Sequence, residues 1–137
     1  MTDLEAAIGV TQLKKLPSFV RARRAIAARY RKAFSSSAVV IPSEDQYRNH
    51  VYYRYVVRIP NRSRDWLKQM RNQGIDVKEP IFRPLHRYLN LPDSQFPHST
   101  QAFEECCSIP IFPSLNDEDC NQVCRAIREE SLQRVEI

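Results

Sequence analysis

The densest group of chemically capable side chains is the segment from Lys78 to His86, which reads KEPIFRPLH. It brings an aromatic ring, a guanidinium and an imidazole close together in the chain, at Phe82, Arg83 and His86. Such a loop suits an anionic or sugar ligand, because arginine offers a fork to phosphate, histidine a tunable hydrogen bond and phenylalanine a stacking face. A structural crossover loop with solvated charges accounts equally well for this composition, so both interpretations stay open.

The four cysteines form a second group that could do chemistry. Cys120 and Cys124 lie four residues apart and share one face of a helix, while Cys106 and Cys107 are adjacent. Zinc pairs in small domains usually sit on loops with matching histidines, and His98 is the only histidine nearby. We therefore predict core cysteines, which behave as small hydrophobic residues, and no metal ligands.

The common catalytic signatures are missing from the sequence. With only two glycines there is no glycine-rich phosphate cradle, no Walker motif and no dinucleotide-binding fingerprint. Neither a G-x-S-x-G nucleophile elbow nor an H-E-x-x-H metal helix occurs. The sequence therefore yields no candidate for a catalytic, cofactor-binding or metal-binding residue.

Positive charge is concentrated in the first third of the chain. No Asp or Glu occurs between Ala6 and Ser43, where eight lysines and arginines lie, and the net charge is +5. A cationic helix of this kind could attract the phosphates of a nucleotide or of nucleic acid. A solvated helix face is the commoner origin, and the segment lacks interleaved exposed aromatics and any known nucleic-acid-binding pattern. The charge pattern therefore disfavours a nucleic-acid partner.

Helical periodicity at both ends of the chain predicts the elements that position these groups. A capping box at Thr2 and Glu5 predicts a helix over Thr2–Leu16. Pro17 interrupts the pattern and suits the first turn of a second helix, which we expect to end at Ser35–Ser37. Further helices are predicted over Ser63–Asn72, over Ser99–Cys106, and from Asn116 or Asp117 to Leu132.

Strand signals lie between the helices. Val51–Ile59 reads VYYRYVVRI and is rich in β-branched and aromatic residues. Ile75–Val77 and Cys107–Phe112 are two shorter candidates, separated by the proline-punctuated loop Pro80–Pro97. This order predicts an α+β fold in which long N-terminal helices precede a small, mostly antiparallel three-stranded sheet with helices packed on one face.

Composition bounds the class of protein. The chain has 137 residues, enough for a single domain over residues 1–137 but too few for two ordinary ones. A hydrophobic fraction of 42% indicates a globular chain. No stretch approaches the ~20 apolar residues of a membrane span, and Asp3 and Glu5 argue against a signal peptide. We expect a cytoplasmic protein without membrane contact.

Four segments occur in order and at natural spacing: TDLEAAIGVTQLKKL, HVYYRYVVRIP, NQGIDVKEPIFRPLH and CSIPIFPSLNDEDCNQV. Together they resemble the C-terminal portion of the DegT/StrS-type nucleotide-sugar aminotransferases, which depend on pyridoxal phosphate (PLP). The resemblance implies an aminotransferase-type fold, in which a large domain holds PLP on a lysine and a smaller α+β domain follows. It therefore predicts that the chain is the small domain and that the catalytic half lies elsewhere.

The same resemblance implies roles for loop residues. Residues equivalent to His86, Phe82 and Arg83 lie beside the nucleotide-sugar in relatives. Two positions depart from the family pattern: Ile81 stands where some members have a histidine, and Tyr53 where many have another. None of the five lysines stands in the family's lysine motif, so no PLP is expected to bind to this chain alone.

Three functional hypotheses follow. The first is a small domain that acts with a PLP-binding large domain or partner chain in cell-surface polysaccharide or deoxyamino-sugar biosynthesis. The others are a non-catalytic binding or oligomerisation module derived from the family, and a nucleic-acid binder that uses the basic helix. A small domain without its partner should expose apolar residues of the first helix, such as Ile8, Val10 and Leu13. We therefore expect self-association through this surface.

Overall fold

The computed structural model describes residues 1–63 and 65–132, and of residues 130–132 only the backbone. The elements follow the α+β order that the sequence predicts. A short 3-10 turn over Asp93–Gln95 precedes α4. In chain order the elements are α1 (Asp3–Phe34), β1 (Tyr55–Arg58), α2 (Trp66–Asn72), α3 (Leu85–Tyr88), α4 (Pro97–Glu105), β2 (Cys106–Ile109) and α5 (Asp117–Leu132).

The N-terminal region is a single helix of 32 residues, so the prediction of two helices divided at Pro17 is wrong. The predicted capping box is present, because the Thr2 and Glu5 side chains each accept a hydrogen bond from the other residue's backbone N–H. An internal proline removes one backbone hydrogen bond, here the one that would reach the Leu13 carbonyl. Leu13 is exposed, so water can satisfy that carbonyl, and the helix continues.

The sheet has two antiparallel strands in the described part of the chain, with Tyr55 opposite Ile109 and Arg58 opposite Cys106. The third predicted strand, Ile75–Val77, is not confirmed. Its neighbour Lys78 pairs with β2 only through an isolated bridge to Ser108. The sheet is therefore smaller than the sequence pattern suggests.

Strand β1 begins later than the predicted Val51–Ile59 because the backbone turns at Tyr52. This residue has a φ of 50°, in the left-handed region that a bulky side chain rarely adopts. Its N–H donates to His50 Nδ1 at 2.8 Å, and its hydroxyl donates to the Glu44 carboxylate. These contacts hold the turn and keep residues before Tyr55 out of the sheet.

The core lies against one face of the sheet. The buried side chains of the strands alternate and belong to Tyr55, Val57, Cys107 and Ile109. Helices α1, α2 and α5 contribute buried residues to the same cluster, and the Tyr30 ring of α1 lies 5.2 Å from the Tyr55 ring. The arrangement agrees with the prediction that helices pack on one face of the sheet.

The N-terminal half of α1 makes no part of this core. Its large apolar side chains are all exposed, from Leu4 through Ile8, Val10 and Leu13 to Leu16. Within the described residues, no helix has both the length and the apolar character that crossing a bilayer requires. An apolar helix surface without a partner in the described chain is therefore a defining feature of the fold.

Candidate functional site

The predicted ligand loop, Pro80–Pro97, folds around His86. The histidine is only 4% exposed, and its Nε2 lies 2.9 Å from Asp93 Oδ1. Its ring stacks on Phe96 with centroids 4.9 Å apart. Its carbonyl accepts hydrogen bonds from two backbone N–H groups further along the loop. His86 therefore organises the loop from inside, and its imidazole is not presented to solvent.

Asp93 connects this histidine to Arg87. Arg87 donates from Nε and Nη2 to the two oxygens of the Asp93 carboxylate, at 2.9 and 2.8 Å. The Arg87 guanidinium, followed by His86, lowers the pKa of Asp93 to about 2, so the carboxylate is ionised at neutral pH. The same guanidinium lies 5.0 Å from the centre of the Phe103 ring on α4. The charge-assisted bonds thus join two parts of the loop, and the cation–π contact fixes the loop to α4.

Phe82 and Arg83 occupy the outside of the loop. Phe82 is 88% exposed, so its ring can stack on an incoming ligand. Arg83 donates one hydrogen bond to the Arg87 carbonyl at 2.7 Å, and its guanidinium lies 5.2 Å from the Tyr88 ring. These contacts orient the side chain and leave further N–H donors for an anion. Of the three predicted residues, Phe82 and Arg83 therefore face outward, and His86 supports the loop from inside.

A contact from the residue before β1 to the start of this loop was missed by sequence reasoning. Arg54 donates to the Pro80 carbonyl at 2.9 Å. Tyr53 is exposed, and the guanidinium groups of Arg23 and Arg54 each lie 6.0 Å from its ring centre. Arg23 Nε is buried without a hydrogen-bond partner in the described structure. Residues this far apart in sequence carry no local signal of their contact, so only the folded chain reveals it.

The cysteines lie where the sequence predicts them, in or beside the core. Cys107 and Cys120 are buried, and Cys106 and Cys124 are half-buried. Burial raises the pKa of Cys107 and of Cys124 to about 12, so both thiols are neutral at physiological pH. Within the described residues, no group of three or more His, Cys, Asp or Glu side chains is arranged to hold a metal ion.

Three arginines in the C-terminal half of α1 have hydrogen-bond or ion-pair partners. Arg24 donates to the His50 carbonyl at 3.0 Å, Arg29 pairs with Asp117, and Arg31 pairs with Glu44. These arginines tie α1 to the loop before β1 and to the start of α5. Three of the eight cationic residues between Ala6 and Ser43 therefore hold the fold together.

Comparison with known proteins identifies the family. The model of the DegT/DnrJ/EryC1/StrS aminotransferase family matches residues 1–128. The chain belongs to this family. The family's enzymes depend on PLP, and solved relatives include PLP and PMP forms.

Individual relatives extend this result. The chain is 28% identical to the spore coat polysaccharide biosynthesis protein SpsC of Bacillus subtilis, over 94% of this chain and 36% of SpsC. It is 32% identical to the dTDP-4-dehydro-2,3,6-trideoxy-D-glucose 4-aminotransferase of Saccharopolyspora spinosa, over 88% of this chain and 32% of that enzyme. The chain thus spans about a third of the length of these curated relatives.

Solved structures show the same fold. The aminotransferase TlmJ from Streptoalloteichus hindustanus superimposes with a TM-score of 0.84 at 29% identity, over 100% of this chain and 38% of TlmJ. Spr1654 from Streptococcus pneumoniae, described as a sugar aminotransferase and solved in its PLP form, gives a TM-score of 0.85 at 22% identity. That match covers 97% of this chain and 36% of Spr1654.

The described residues do not by themselves fit the coenzyme of this family. A lysine that holds PLP must lie where protein groups can position and tune the coenzyme. All five lysines of this chain are exposed: Lys14, Lys15, Lys32, Lys68 and Lys78. Lys78 is also paired with Asp76 at 2.9 Å. No lysine in the described chain therefore lies in an enclosed pocket suited to PLP.

Proposed function

We propose that this chain is the C-terminal small domain of a PLP-dependent nucleotide-sugar aminotransferase of the cytoplasm. It would act with a PLP-binding large domain in amino-group transfer to a keto-sugar nucleotide, for cell-surface polysaccharide or deoxyamino-sugar biosynthesis. The observation that carries the proposal is the match of the whole chain to 38% of TlmJ at a TM-score of 0.84. The name of the Saccharopolyspora spinosa relative supports the reaction class.

Exposed apolar surfaces support the need for a large domain. The N-terminal half of α1 exposes a series of large aliphatic side chains, including Ile8 and Leu13. The ligand loop does the same at Leu85 and Leu89. Soluble domains rarely leave contiguous apolar patches uncovered unless another protein surface binds there. Both surfaces are therefore proposed contacts with the rest of the enzyme.

Within the assembled enzyme, the loop would bind and orient the nucleotide-sugar. Arg83 would pair with a phosphate, because a guanidinium fork matches phosphate oxygens. Phe82 would stack on the ring of the base or sugar. His86 would hold the loop backbone in place through Asp93 and Phe96. PLP, bound by the large domain, would supply the amino-transfer chemistry.

Steady-state kinetics of the assembled enzyme test these roles. Phe82→Ala and Arg83→Gln should each raise the KM for the nucleotide-sugar by about tenfold with a small change in kcat, because they remove binding interactions rather than reacting groups. Tyr47→Ala is the matched control, since Tyr47 is 86% exposed and lies outside the loop. An unchanged KM in both loop variants would contradict the assignment of these side chains to the substrate.

A further inference from the structure

A polar cavity of about 480 Å³ lies beside the ligand loop. Its volume falls in the range of small-molecule sites in proteins. The walls come from the segment after β1, from the ligand loop and the residue before it, and from α4. The lining side chains are two guanidinium groups, two carboxylates, one hydroxyl and one aromatic ring: Arg62, Arg87, Glu79, Glu104, Ser63 and Phe103.

Arg62 forms the buried floor of this cavity. Its side chain is only 5% exposed. Its Nε donates to the Glu104 carbonyl at 3.0 Å, and its guanidinium lies 5.9 Å from the centre of the Trp66 ring. Glu79 Oε1 is 4.0 Å from Arg62 Nη2, which is too far for a direct hydrogen bond. Within the described residues, this buried guanidinium therefore makes no hydrogen bond to a carboxylate, the partner that would stabilise it most.

The second guanidinium of the cavity is in a similar position. Arg87 Nη2 lies 3.8 Å from Glu104 Oε1, again beyond the length of a direct hydrogen bond. Arg87 donates to Asp93 from Nε and Nη2, which leaves Nη1 available for a further acceptor. Each cation of the cavity thus lies near a carboxylate that it does not contact directly.

The charges of the cavity are ordered by depth. The side chains of Arg62 and Arg87 are 5% and 27% exposed. Those of Glu79 and Glu104 are 39% and 64% exposed. The cavity therefore carries positive charge at its floor and negative charge at its rim. A ligand with a single charge would be repelled by one of these pairs, whereas a zwitterion meets each pair with the opposite charge.

We propose that this cavity binds a free α-amino acid. The ligand's carboxylate accepts hydrogen bonds from Arg62 and Arg87 at the floor, because a guanidinium fork matches carboxylate geometry. Its ammonium group donates to Glu79 and Glu104 at the rim. The half-buried ring of Phe103 offers an apolar contact to the side chain, which favours an aliphatic amino acid.

The site shares a residue with the support of the ligand loop but none with the proposed nucleotide-sugar contacts. Arg87 belongs both to the lining and to the pair with Asp93. Phe82 and Arg83 do not belong to the lining. The inference is therefore independent of the proposed aminotransferase function.

An NMR titration of the isotope-labelled 137-residue chain with L-leucine tests the proposal. Trp66 is the only tryptophan of the chain and lies against the Arg62 guanidinium, so its indole N–H signal reports binding at the floor. Leucine should shift this signal and saturate the shift at millimolar concentration. Isocaproate lacks the ammonium group and leucinamide lacks the carboxylate. Each should bind at least about tenfold more weakly than leucine, because each loses one set of charge-assisted hydrogen bonds.

Substitutions at the rim test the contact with the ammonium group. Glu79→Gln and Glu104→Gln should each weaken leucine binding by about three- to tenfold, because each removes one charged acceptor. Neither should weaken the binding of isocaproate, which has no ammonium group. Glu118→Gln is the matched control, since Glu118 is an exposed glutamate of α5 outside the lining, and it should change the affinity less than about twofold.

Losses in both rim variants without a loss in the Glu118→Gln control support the proposal. A Trp66 signal that leucine does not shift at millimolar concentration overturns it, because water alone would then fill the gaps between the charged pairs. Affinity for isocaproate or leucinamide equal to that for leucine overturns it as well, because the cavity would then recognise a single charge. An equal loss in the Glu118→Gln control has the same consequence.

Discussion

The two halves of α1 have the same backbone conformation and opposite surroundings. In the C-terminal half, Ile26, Tyr30 and Phe34 are buried against the sheet and α5. In the N-terminal half, Leu4 and Ile8 are exposed, although they lie four residues apart in the same way as Ile26 and Tyr30. Apolar periodicity on a helix therefore reports that a partner surface is needed, but it does not report whether the partner is in the same chain. The first half of α1 points to a partner outside the described residues.

The largest expected effect is on the free energy of unfolding, which should differ between substitutions in the two halves of α1. Tyr30→Ala should lower the free energy of unfolding by about 3–5 kcal/mol, as for other large aromatic truncations in a core. Tyr30 is fully buried and donates a hydrogen bond to the Pro110 carbonyl at 2.6 Å. Leu13→Ala should change the free energy of unfolding by no more than about 0.5 kcal/mol. Urea denaturation measures the free energy of unfolding of both variants. Equal losses of this free energy would show that the two halves of α1 do not differ.

A second prediction concerns assembly. Because the N-terminal half of α1 is apolar and exposed, the isolated chain should self-associate, and the combined Ile8→Asp and Leu13→Asp variant should shift it towards the monomer. Gln12→Asp is the control, since it adds an acidic group at an exposed polar position of the same helix. Light scattering coupled to size exclusion gives the mass. A monodisperse wild-type monomer at high concentration would refute self-association.

The smallest expected effect concerns the ligand loop. Contacts between charged side chains hold this loop in place, whereas buried side chains hold the C-terminal half of α1. The Arg87 and His86 side chains hold the pKa of Asp93 at about 2, below its ordinary value of 3.8. The contribution of this carboxylate to stability is therefore complete above about pH 4 and is lost as the pH falls towards 2. Arg87→Gln should raise the pKa of Asp93 towards 3.8, which NMR titration of the carboxyl carbon can follow.

If the pKa of Asp93 in the wild-type chain lay at its ordinary value, that result would contradict the contact between Asp93 and Arg87. Glu44 offers an internal comparison, because Arg31 and then Tyr52 lower its pKa to about 2. Its pKa should stay unchanged in the Arg87→Gln variant, since none of its contacts involves the loop.

Local signals in the sequence were sufficient for elements whose ends are set by neighbouring residues. Helix α5 begins at Asp117 as predicted, because Asn116 Oδ1 accepts a hydrogen bond from the Asp119 N–H at 2.8 Å. Gly74 lies in the turn that follows α2 and has a φ of 79°, which glycine adopts without steric cost. The capping box of α1 is equally local.

Features that depend on distant contacts were not predictable. The sequence predicts a break at Pro17, yet a proline at an exposed position costs less than the loss of the whole helix. Tyr52 shortens β1 because distant Glu44 and Arg31 hold its hydroxyl. The chemistry of the loop was predicted from its residue types, but the inward position of His86 depends on Asp93 and Phe96, which no local pattern connects to it.

The most direct test of the account is an assay of the purified chain for turnover of an amino donor, with PLP and a keto-sugar nucleotide present. The account predicts no turnover by the chain alone, because none of its lysines lies in an enclosed pocket, and turnover once a PLP-binding large domain is supplied. Sustained transamination by the 137-residue chain without any partner would contradict it.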